Sequence, residues 1–293
     1  QPTPLEHAPG LGDQVWLKLE SRNFTRSFKV RGALNAMLLL DRAARERGVI
    51  ACSSGNHAQG VAWAAQLTGV DACLLMPAHT PQRKLEGARR YGARAELFGS
   101  NYDETEIEAR HRQLEQGLTF ISPYNDARVI AGAGTIGLEL LDDLREVARV
   151  LVPVSGGGLI SGIALALRTL RPTLKVIGVC ARSAPAMANL QHGSNLPQEW
   201  DTLAEALSGV VEGDSMTIGL VQRFVSQIVL VPEEAIARAM RWMLLEHGLV
   251  VEGGGAVTVA ALQSGAVALD ERPTALVISG GNVDEGTLRR ILD

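Results

Sequence analysis

Short runs of apolar residues alternate with longer amphipathic stretches along this chain of 293 residues. A short apolar run bounded by turn residues is typical of a buried parallel strand, and an amphipathic stretch is typical of a helix that covers a sheet. The predicted strands are Val15–Leu19, Val49–Cys52, Ala72–Met76, Ala95–Phe98, Thr119–Ser122, Val150–Val154, Lys175–Val179, Gln227–Val231 and Ala275–Ile278. The predicted helices are Gln59–Leu67, Arg83–Tyr91, Asp103–Glu115, Thr135–Leu144, Leu159–Leu170, Glu233–His247 and Ala256–Gln263. The alternation predicts an α/β fold of parallel strands with helices on both faces.

Two stretches depart from this alternation. The run Val150–Leu167 carries no charge and is long enough to suggest a membrane span. Pro153 and three consecutive glycines interrupt it, so a strand, a tight turn and a buried helix are predicted instead. The stretch Ala181–Thr217 has no clear periodicity, which is typical of a functional loop or of a segment that covers other elements.

Composition and charge narrow the class of protein. A hydrophobic fraction of 46% with 20% charged residues is typical of a globular protein. The net charge of −4 offers no basic surface for nucleic acid or for an anionic membrane. The three cysteines have neither metal-ligand spacing nor an even count, and no signal peptide is recognised. These features predict reduced thiols and a cytoplasmic location.

Lys29 is the first candidate for chemistry because it stands between Phe28 and Val30. An amine held among apolar neighbours tends to lose its proton, and a neutral amine is a nucleophile that forms Schiff bases with carbonyl groups. The alternative is a lysine at a helix start whose stem is buried and whose charged end reaches water.

A run of three glycines follows the predicted strand Val150–Val154 and leads into a helix. Ser155, Gly156, Gly157, Gly158 and Leu159 would then expose consecutive backbone N–H groups at the positive end of the helix dipole, which is an arrangement that holds phosphate. The alternative is a tight turn that needs glycine for packing.

Two further polar turns follow predicted strands. The segment 53–57, Ser-Ser-Gly-Asn-His, offers hydroxyls, an amide and N–H groups to a carboxylate or a ring hydroxyl. It also has the composition of an N-cap cluster, and a lone histidine is more often structural than catalytic. The segment 279–282, Ser-Gly-Gly-Asn, lies at the same kind of carboxyl edge, where ligands of open α/β sheets collect, although a turn alone would explain it.

The segment Gly132–Gly137 formally matches the glycine motif of dinucleotide-binding folds. Pro123 interrupts the strand that should lead into it, and no acidic residue follows at the expected distance. The sequence therefore argues against dinucleotide binding.

Together the four segments 27–33, 53–57, 155–159 and 279–282, in this order, resemble the serine/threonine dehydratase and serine racemase family of fold type II pyridoxal-phosphate enzymes. The resemblance spans nearly the whole chain. It implies a two-lobed α/β fold like that of the tryptophan synthase β subunit, with a mostly parallel sheet in each lobe. Residues 1–47 and 126–293 would form the large lobe and residues 48–125 the small one, and the protein would be a homodimer.

The resemblance also implies a role for each matching residue, with pyridoxal 5'-phosphate as the cofactor and no metal. Lys29 would be the catalytic Schiff-base lysine, and Ser54 would stand where racemases have their second acid/base. The residues that would bind the cofactor are Phe28, Lys29, Asn56, Ser155, Gly156, Gly157, Gly158, Leu159 and Ser279. The residues that would bind the carboxylate of an amino-acid substrate are Ser53, Ser54 and His57.

The implied reaction is β-elimination on a β-hydroxy amino acid. Ser279 cannot hold the pyridine nitrogen protonated as a carboxylate would, so loss of a β-substituent is favoured over transamination. Lys29 would remove the Cα proton and the β-hydroxyl would leave, giving a 2-keto acid and ammonia. The alternatives are a racemase that uses Ser54, a nucleotide-binding oxidoreductase and a non-catalytic ligand-binding relative.

Three positions depart from the family pattern. Arg26 replaces the usual small residue before Ser27, and it would either contact an acidic or polar substrate or point to solvent. Ala133 replaces a polar residue on the substrate side. The segment 180–186 lacks the acids that hold a divalent cation in metal-dependent members. The segments 152–160 and 251–257 also resemble dehydratases of hydroxyectoine utilisation, which would imply hydroxylated diamino acids as substrates.

Overall fold

The computed structural model describes residues 2–292. Within this range the chain divides into two compact units: one holds the chain up to Phe28 and from Ala133 onward, and the other is Lys29–Gly132. Each unit has its own sheet, so the predicted α/β class with two mostly parallel sheets is confirmed. The lobe boundaries after residues 47 and 125 stay a prediction.

The first unit is built on six strands. These are β1 (Leu5–His7), β2 (Val15–Leu19), β7 (Arg149–Pro153), β8 (Lys175–Ala181), β9 (Gln227–Val231) and β10 (Thr274–Ile278). Their order is β1-β2-β10-β7-β8-β9, and only the pairing of β1 with β2 is antiparallel. The helices are α6 (Ala127–Asp143, which begins in the second unit), α7 (Gly158–Leu170), α8 (Ala186–His192), α9 (Met216–Phe224), α10 (Glu233–His247), α11 (Gly253–Gln263) and α12 (Glu285–Leu292).

The second unit is built on four parallel strands. These are β3 (Val49–Cys52), β4 (Ala72–Met76), β5 (Arg94–Leu97) and β6 (Thr119–Phe120), in the order β5-β4-β3-β6. The helices are α1 (Lys29–Leu38), α2 (Arg42–Arg47), α3 (Asn56–Thr68), α4 (Gln82–Arg89) and α5 (Tyr102–Gln116).

Both faces of each sheet are buried. Successive side chains of a strand point to opposite faces, and in these sheets the two sets of side chains enter different apolar clusters. In β7, Leu151 belongs to one apolar cluster, whereas Val150 and Val152 belong to another. The residues of β3 alternate between two clusters in the same way. This double burial explains why the strands are nearly continuous apolar runs.

The structure corrects the predicted elements at several places. Helix α6 begins at Ala127, eight residues before the predicted start, so the motif Gly132–Gly137 lies inside a helix and not at the strand–helix turn that dinucleotide binding requires. The stretch Ala181–Thr217 contains α8, and β6 ends at Phe120 although the strand was predicted to continue to Ser122. The run Val150–Leu167 lies in β7 and α7, and none of the described helices is long and apolar enough to cross a bilayer.

Candidate active site

Three neighbouring strands of the first unit carry candidate residues to one edge of its sheet. Strand β10 is parallel to both β2 and β7. Phe28 follows β2 along the chain, Ser279 follows β10, and the glycine turn 155–158 follows β7. The carboxyl ends of parallel strands lie at the same edge of a sheet, so these candidates come together there.

The glycine turn has a shape that only glycine permits at its centre. Gly157 adopts φ +88°, in the left-handed region that side chains disfavour. A Cβ at this position would lie 2.8 Å from Cε of Met187 and 3.0 Å from Cβ of Thr217. The turn is therefore fixed by its own backbone and by the side chains that pack against it.

The same turn opens helix α7 without a side-chain cap. The first N–H groups of a helix have no partner within it, and they lie at the positive end of its dipole. A buried turn that offers such donors and no carboxylate fits a phosphate group. The phosphate site at residues 155–159 stays a prediction.

Ser279 is 5% exposed and ends β10 at the same edge. Its hydroxyl lies 3.5 Å from the carbonyl oxygen of Gly254, at the outer limit of a hydrogen bond, so a stronger acceptor could engage it. The Phe28 N–H donates to the Ser279 carbonyl over 3.0 Å, and Ser27 forms an isolated β-bridge with Gly280. Ser279 and Phe28 are thus held side by side.

The turn before Phe28 is strained. Thr25 and Arg26 both adopt φ +55°, which is uncommon for residues with a side chain. Asn282 Nδ2 donates to the Thr25 carbonyl over 2.7 Å, and the Gly281 N–H donates to the Arg26 carbonyl over 2.9 Å. The 279–282 turn therefore holds the strained backbone that leads to the candidate lysine, and the side chain of Arg26 is exposed.

In the second unit, Lys29 is the first residue of α1 and is partly buried. Its Nζ donates a hydrogen bond of 2.7 Å to the Pro123 carbonyl. A Cβ added to Gly60 of α3 would lie 3.0 Å from the Lys29 carbonyl carbon and 3.1 Å from its Cβ, so α3 packs directly on this residue.

His57 lies in the first turn of α3 and is 3% exposed. Its Nε2 lies 2.8 Å from the Ile121 carbonyl oxygen, which can only accept, so Nε2 carries the proton. Burial, with the positive charge of Lys29 as a second cause, lowers the pKa of His57 to about 3. Its Nδ1 is buried without a partner among the described residues. The ring is neutral, and only its backbone N–H could donate to a substrate carboxylate.

Lys29 and His57 are anchored on one stretch of backbone. Their acceptors are the carbonyls of Pro123 and Ile121, and Ser122 lies between these two residues. The Ser122 hydroxyl accepts the Asn125 N–H over 3.0 Å, which fixes the turn that follows β6. This stretch was not predicted as part of the site, because a backbone carbonyl leaves no mark in a sequence.

The turn 53–56 is partly exposed at the start of α3. The Ser53 hydroxyl accepts the Gly55 N–H over 3.2 Å, and no side chain caps the helix. The first N–H groups of a 13-residue helix thus stand beside the hydroxyls of Ser53 and Ser54 and the amide of Asn56. The arrangement can receive a carboxylate.

The placement of acidic, histidine and cysteine side chains bears on metal binding. Across residues 2–292, no group of three or more of these side chains is placed to hold a metal ion.

Comparison with known proteins adds an independent finding. Residues 1–280 match the family described as pyridoxal-phosphate dependent enzyme. The chain is 43% identical over 284 residues to the L-threonine ammonia-lyase of Thermotoga maritima. These residues are 96% of this chain and 70% of that protein. Its fold is similar to maize serine racemase, with a TM-score of 0.92, 31% identity and coverage of 100% and 92%. It is also similar to the processed form of threonine deaminase isoform 2 from Solanum lycopersicum, with a TM-score of 0.91, 34% identity and coverage of 100% and 82%.

Proposed function

The chain belongs to the family of pyridoxal-phosphate dependent enzymes, and from this premise we propose that it is an ammonia-lyase acting on a threonine-like or serine-like amino acid. It eliminates the β-hydroxyl and yields a 2-keto acid and ammonia. The observation that carries this proposal is the partly buried amine of Lys29, bonded to the Pro123 carbonyl at the start of α1. The chain that presents this amine is 43% identical to a threonine ammonia-lyase.

The side chains and N–H groups described above fit the chemical groups of pyridoxal phosphate. Lys29 supplies an amine for the aldehyde, the turn 155–159 supplies N–H donors for the phosphate, and Ser279 supplies a weakly engaged hydroxyl for the pyridine nitrogen. When bound, the cofactor supplies an electron sink that acidifies the Cα proton of an amino acid. Phe28 and Asn56 complete the proposed set of cofactor-binding residues.

Lys29 moves the proton in this proposal. In its neutral form Nζ takes the Cα proton. The Pro123 carbonyl accepts one N–H of the amine and so orients the nitrogen. Residues that orient a catalytic group contribute by fixing the geometry of proton transfer.

The start of α3 receives the substrate carboxylate. Ser53 and Ser54 offer hydroxyls, and the helix offers uncapped N–H groups. His57 contributes through its backbone N–H, because its neutral ring donates to the Ile121 carbonyl. The ring keeps this helix start fixed against the backbone that also holds Lys29.

The choice of substrate rests on the relatives. The threonine ammonia-lyase and threonine deaminase named above favour threonine or serine. Hydroxylated diamino acids, as expected for hydroxyectoine utilisation, are the alternative within the same reaction class. A panel of serine, threonine, 3-hydroxyaspartate and hydroxylated diaminobutyrate, assayed for keto acid and ammonia, separates these substrates.

Racemisation is the second candidate, because the fold is similar to maize serine racemase and Ser54 is present as a possible second acid/base. Chiral analysis of L-serine incubated with the protein tests it. Sustained formation of D-serine would reject a pure lyase.

We also propose that the protein works as a cytoplasmic homodimer. Three buried free thiols, Cys52, Cys73 and Cys180, agree with a reducing compartment. Light scattering of the purified protein tests the dimer.

Replacing Lys29 with Ala tests the proposed function. We expect turnover of every β-hydroxy amino acid to fall below detection, because Lys29 is the group proposed to take the Cα proton in the elimination. Lys84→Ala, a partly buried lysine of α4, is the matched control and should keep full activity. A Lys29→Ala protein that releases ammonia at the wild-type rate would refute the proposal.

A further inference from the structure

Two buried hydroxyls at the start of α9 lie against the glycine turn. Ser215 is the N-cap of this helix, and its Oγ accepts the Thr217 N–H over 3.3 Å. Thr217 is 0% exposed, and its Oγ1 donates to the Gly156 carbonyl over 2.7 Å. Neither residue belongs to the four sequence motifs, and Thr217 lies about 60 residues after the turn.

The direction of these hydrogen bonds follows from the atoms involved. A carbonyl oxygen can only accept, so the single hydroxyl proton of Thr217 is directed to Gly156. Oγ of Ser215 lies 2.8 Å from Oγ1 of Thr217, and with the Thr217 proton already used, the Ser215 hydroxyl is the donor of this pair. The result is a one-way relay from Ser215 through Thr217 to the Gly156 carbonyl.

The relay acts on the peptide bond that joins Gly156 to Gly157. This bond is trans, as are all the peptide bonds of the described residues, so its carbonyl and its N–H point in opposite directions. Fixing the Gly156 carbonyl toward Thr217 therefore directs the Gly157 N–H away from α9. Hydrogen bonds in a chain polarise one another, so the same contact makes this N–H a stronger donor.

Packing makes the contact rigid. A Cβ on Gly157 would lie 3.0 Å from Cβ and 3.1 Å from Oγ1 of Thr217. The glycine backbone thus lies directly on the threonine side chain, and the relay has little freedom to point elsewhere.

We propose that Ser215 and Thr217 are positioning residues for the cofactor phosphate, because they orient and polarise the Gly157 N–H. The proposal rests on the proposed function, in which the glycine turn binds that phosphate. It predicts that the two hydroxyls raise the affinity only for a ligand that carries a phosphate monoester. A purely structural role would affect ligands with and without the phosphate alike.

The test measures binding of pyridoxal phosphate and of pyridoxal, which lacks the phosphate, to the cofactor-free protein by equilibrium dialysis. Thr217→Val removes the hydroxyl and keeps the shape. We expect it to weaken pyridoxal phosphate about tenfold, the effect of one hydrogen bond to a charged group. Affinity for pyridoxal should change less than about twofold.

Two variants and one control sharpen the result. Thr217→Ser keeps the hydroxyl and should restore most of the phosphate-dependent affinity, whereas Ser215→Ala should weaken pyridoxal phosphate by about threefold, since it removes only the polarising donor. Thr68→Val removes the same kind of bond, 2.7 Å long, inside α3 of the other unit and should change neither affinity.

The outcomes separate the relay from the proposed function. If the wild-type protein binds pyridoxal phosphate no more tightly than pyridoxal, the glycine turn does not bind phosphate and that part of the proposed function fails. If the wild type prefers the phosphate ligand but Thr217→Val weakens both ligands equally, or neither, the relay proposal is overturned. Should Thr217→Val fail to fold, the ratio of the two affinities in Thr217→Ser and Ser215→Ala decides in the same way.

Discussion

Helices α3 and α7 have the same length, 13 residues, and they begin in different ways. Both follow a buried parallel strand, both have a glycine at the N-cap, and neither has a side-chain cap. Gly157 before α7 is left-handed and tightly packed, whereas Gly55 before α3 has φ −114° and open space where a Cβ would stand.

The difference suits the two kinds of anion site that we propose. The turn before α7 has one permitted shape, which suits a phosphate group that is the same in every catalytic cycle. The turn before α3 is partly exposed and rich in hydroxyls, which suits a substrate whose side chain varies. Rigidity at the cofactor end and openness at the substrate end would let one fold act on several amino acids.

Gly157→Ala is expected to have the largest effect. The change forces a side chain into a left-handed position and against Met187 and Thr217, which should lower the free energy of unfolding by about 2–4 kcal/mol. Gly55→Ala, at the corresponding position before α3, should cost less than about 1 kcal/mol. Urea unfolding of both variants measures the contrast, and equal losses would remove the distinction between the two turns.

Gly60→Ala tests whether helix α3, which follows the open turn at Gly55, fixes the position of Lys29. An added Cβ would press on the backbone of Lys29, so we expect a loss of about 1–3 kcal/mol in unfolding free energy. The displaced amine should lower kcat more than it raises KM. Gly87→Ala in α4, where a Cβ would meet only the side chain of Gln59 at 3.5 Å, is the control. A wild-type kcat for Gly60→Ala would show that α3 does not position the lysine.

His57→Gln tests whether the His57 ring, at the start of α3, is buried in its neutral form. The pKa of His57 is lowered to about 3 in the folded protein from an ordinary value of 6.5, so below pH 6.5 the unfolded chain takes up a proton that the folded protein does not. This group therefore costs stability progressively as the pH falls from about 6.5 toward 3, at up to about 1.4 kcal/mol per pH unit.

Between pH 6.5 and pH 5 the wild type should accordingly lose about 1.6 kcal/mol more than His57→Gln, measured by urea unfolding at each pH. Parallel pH profiles for the two proteins would mean that the ring is not buried in its neutral form.

The bounds of a regular element could be predicted from the sequence where burial alone decides them. Strands β2, β3, β4 and β9 and helix α10 have the predicted bounds, because their apolar runs fill sheet or helix faces without competing signals. Helices α8 and α9 were not predicted, because α8 lies in, and α9 begins in, the stretch Ala181–Thr217, which has no clear periodicity.

The glycines of α6 show how packing overrides a local signal. A Cβ on Gly132 would lie 2.4 Å from the Arg31 carbonyl oxygen, and one on Gly134 would lie 3.0 Å from that of Gly162. These glycines permit close approach between helices, whereas in the sequence they suggested a turn. The carbonyls of Ile121 and Pro123 and the hydroxyl of Thr217 could not be predicted either, since only the folded chain brings them to the motifs.

The central claim is that Lys29 alone carries the cofactor, and the chain makes this claim easy to test because it has only four lysines, at positions 18, 29, 84 and 175. Lys18 is fully buried and paired with Glu139 at 2.8 Å and Asp143 at 2.9 Å, so its amine is already engaged. Borohydride reduction of the protein loaded with pyridoxal phosphate, followed by peptide mass spectrometry, is the direct measurement. We predict one equivalent of reduced cofactor on Lys29 and none on the other three lysines; an unmodified Lys29, or the label on another lysine, would contradict the account.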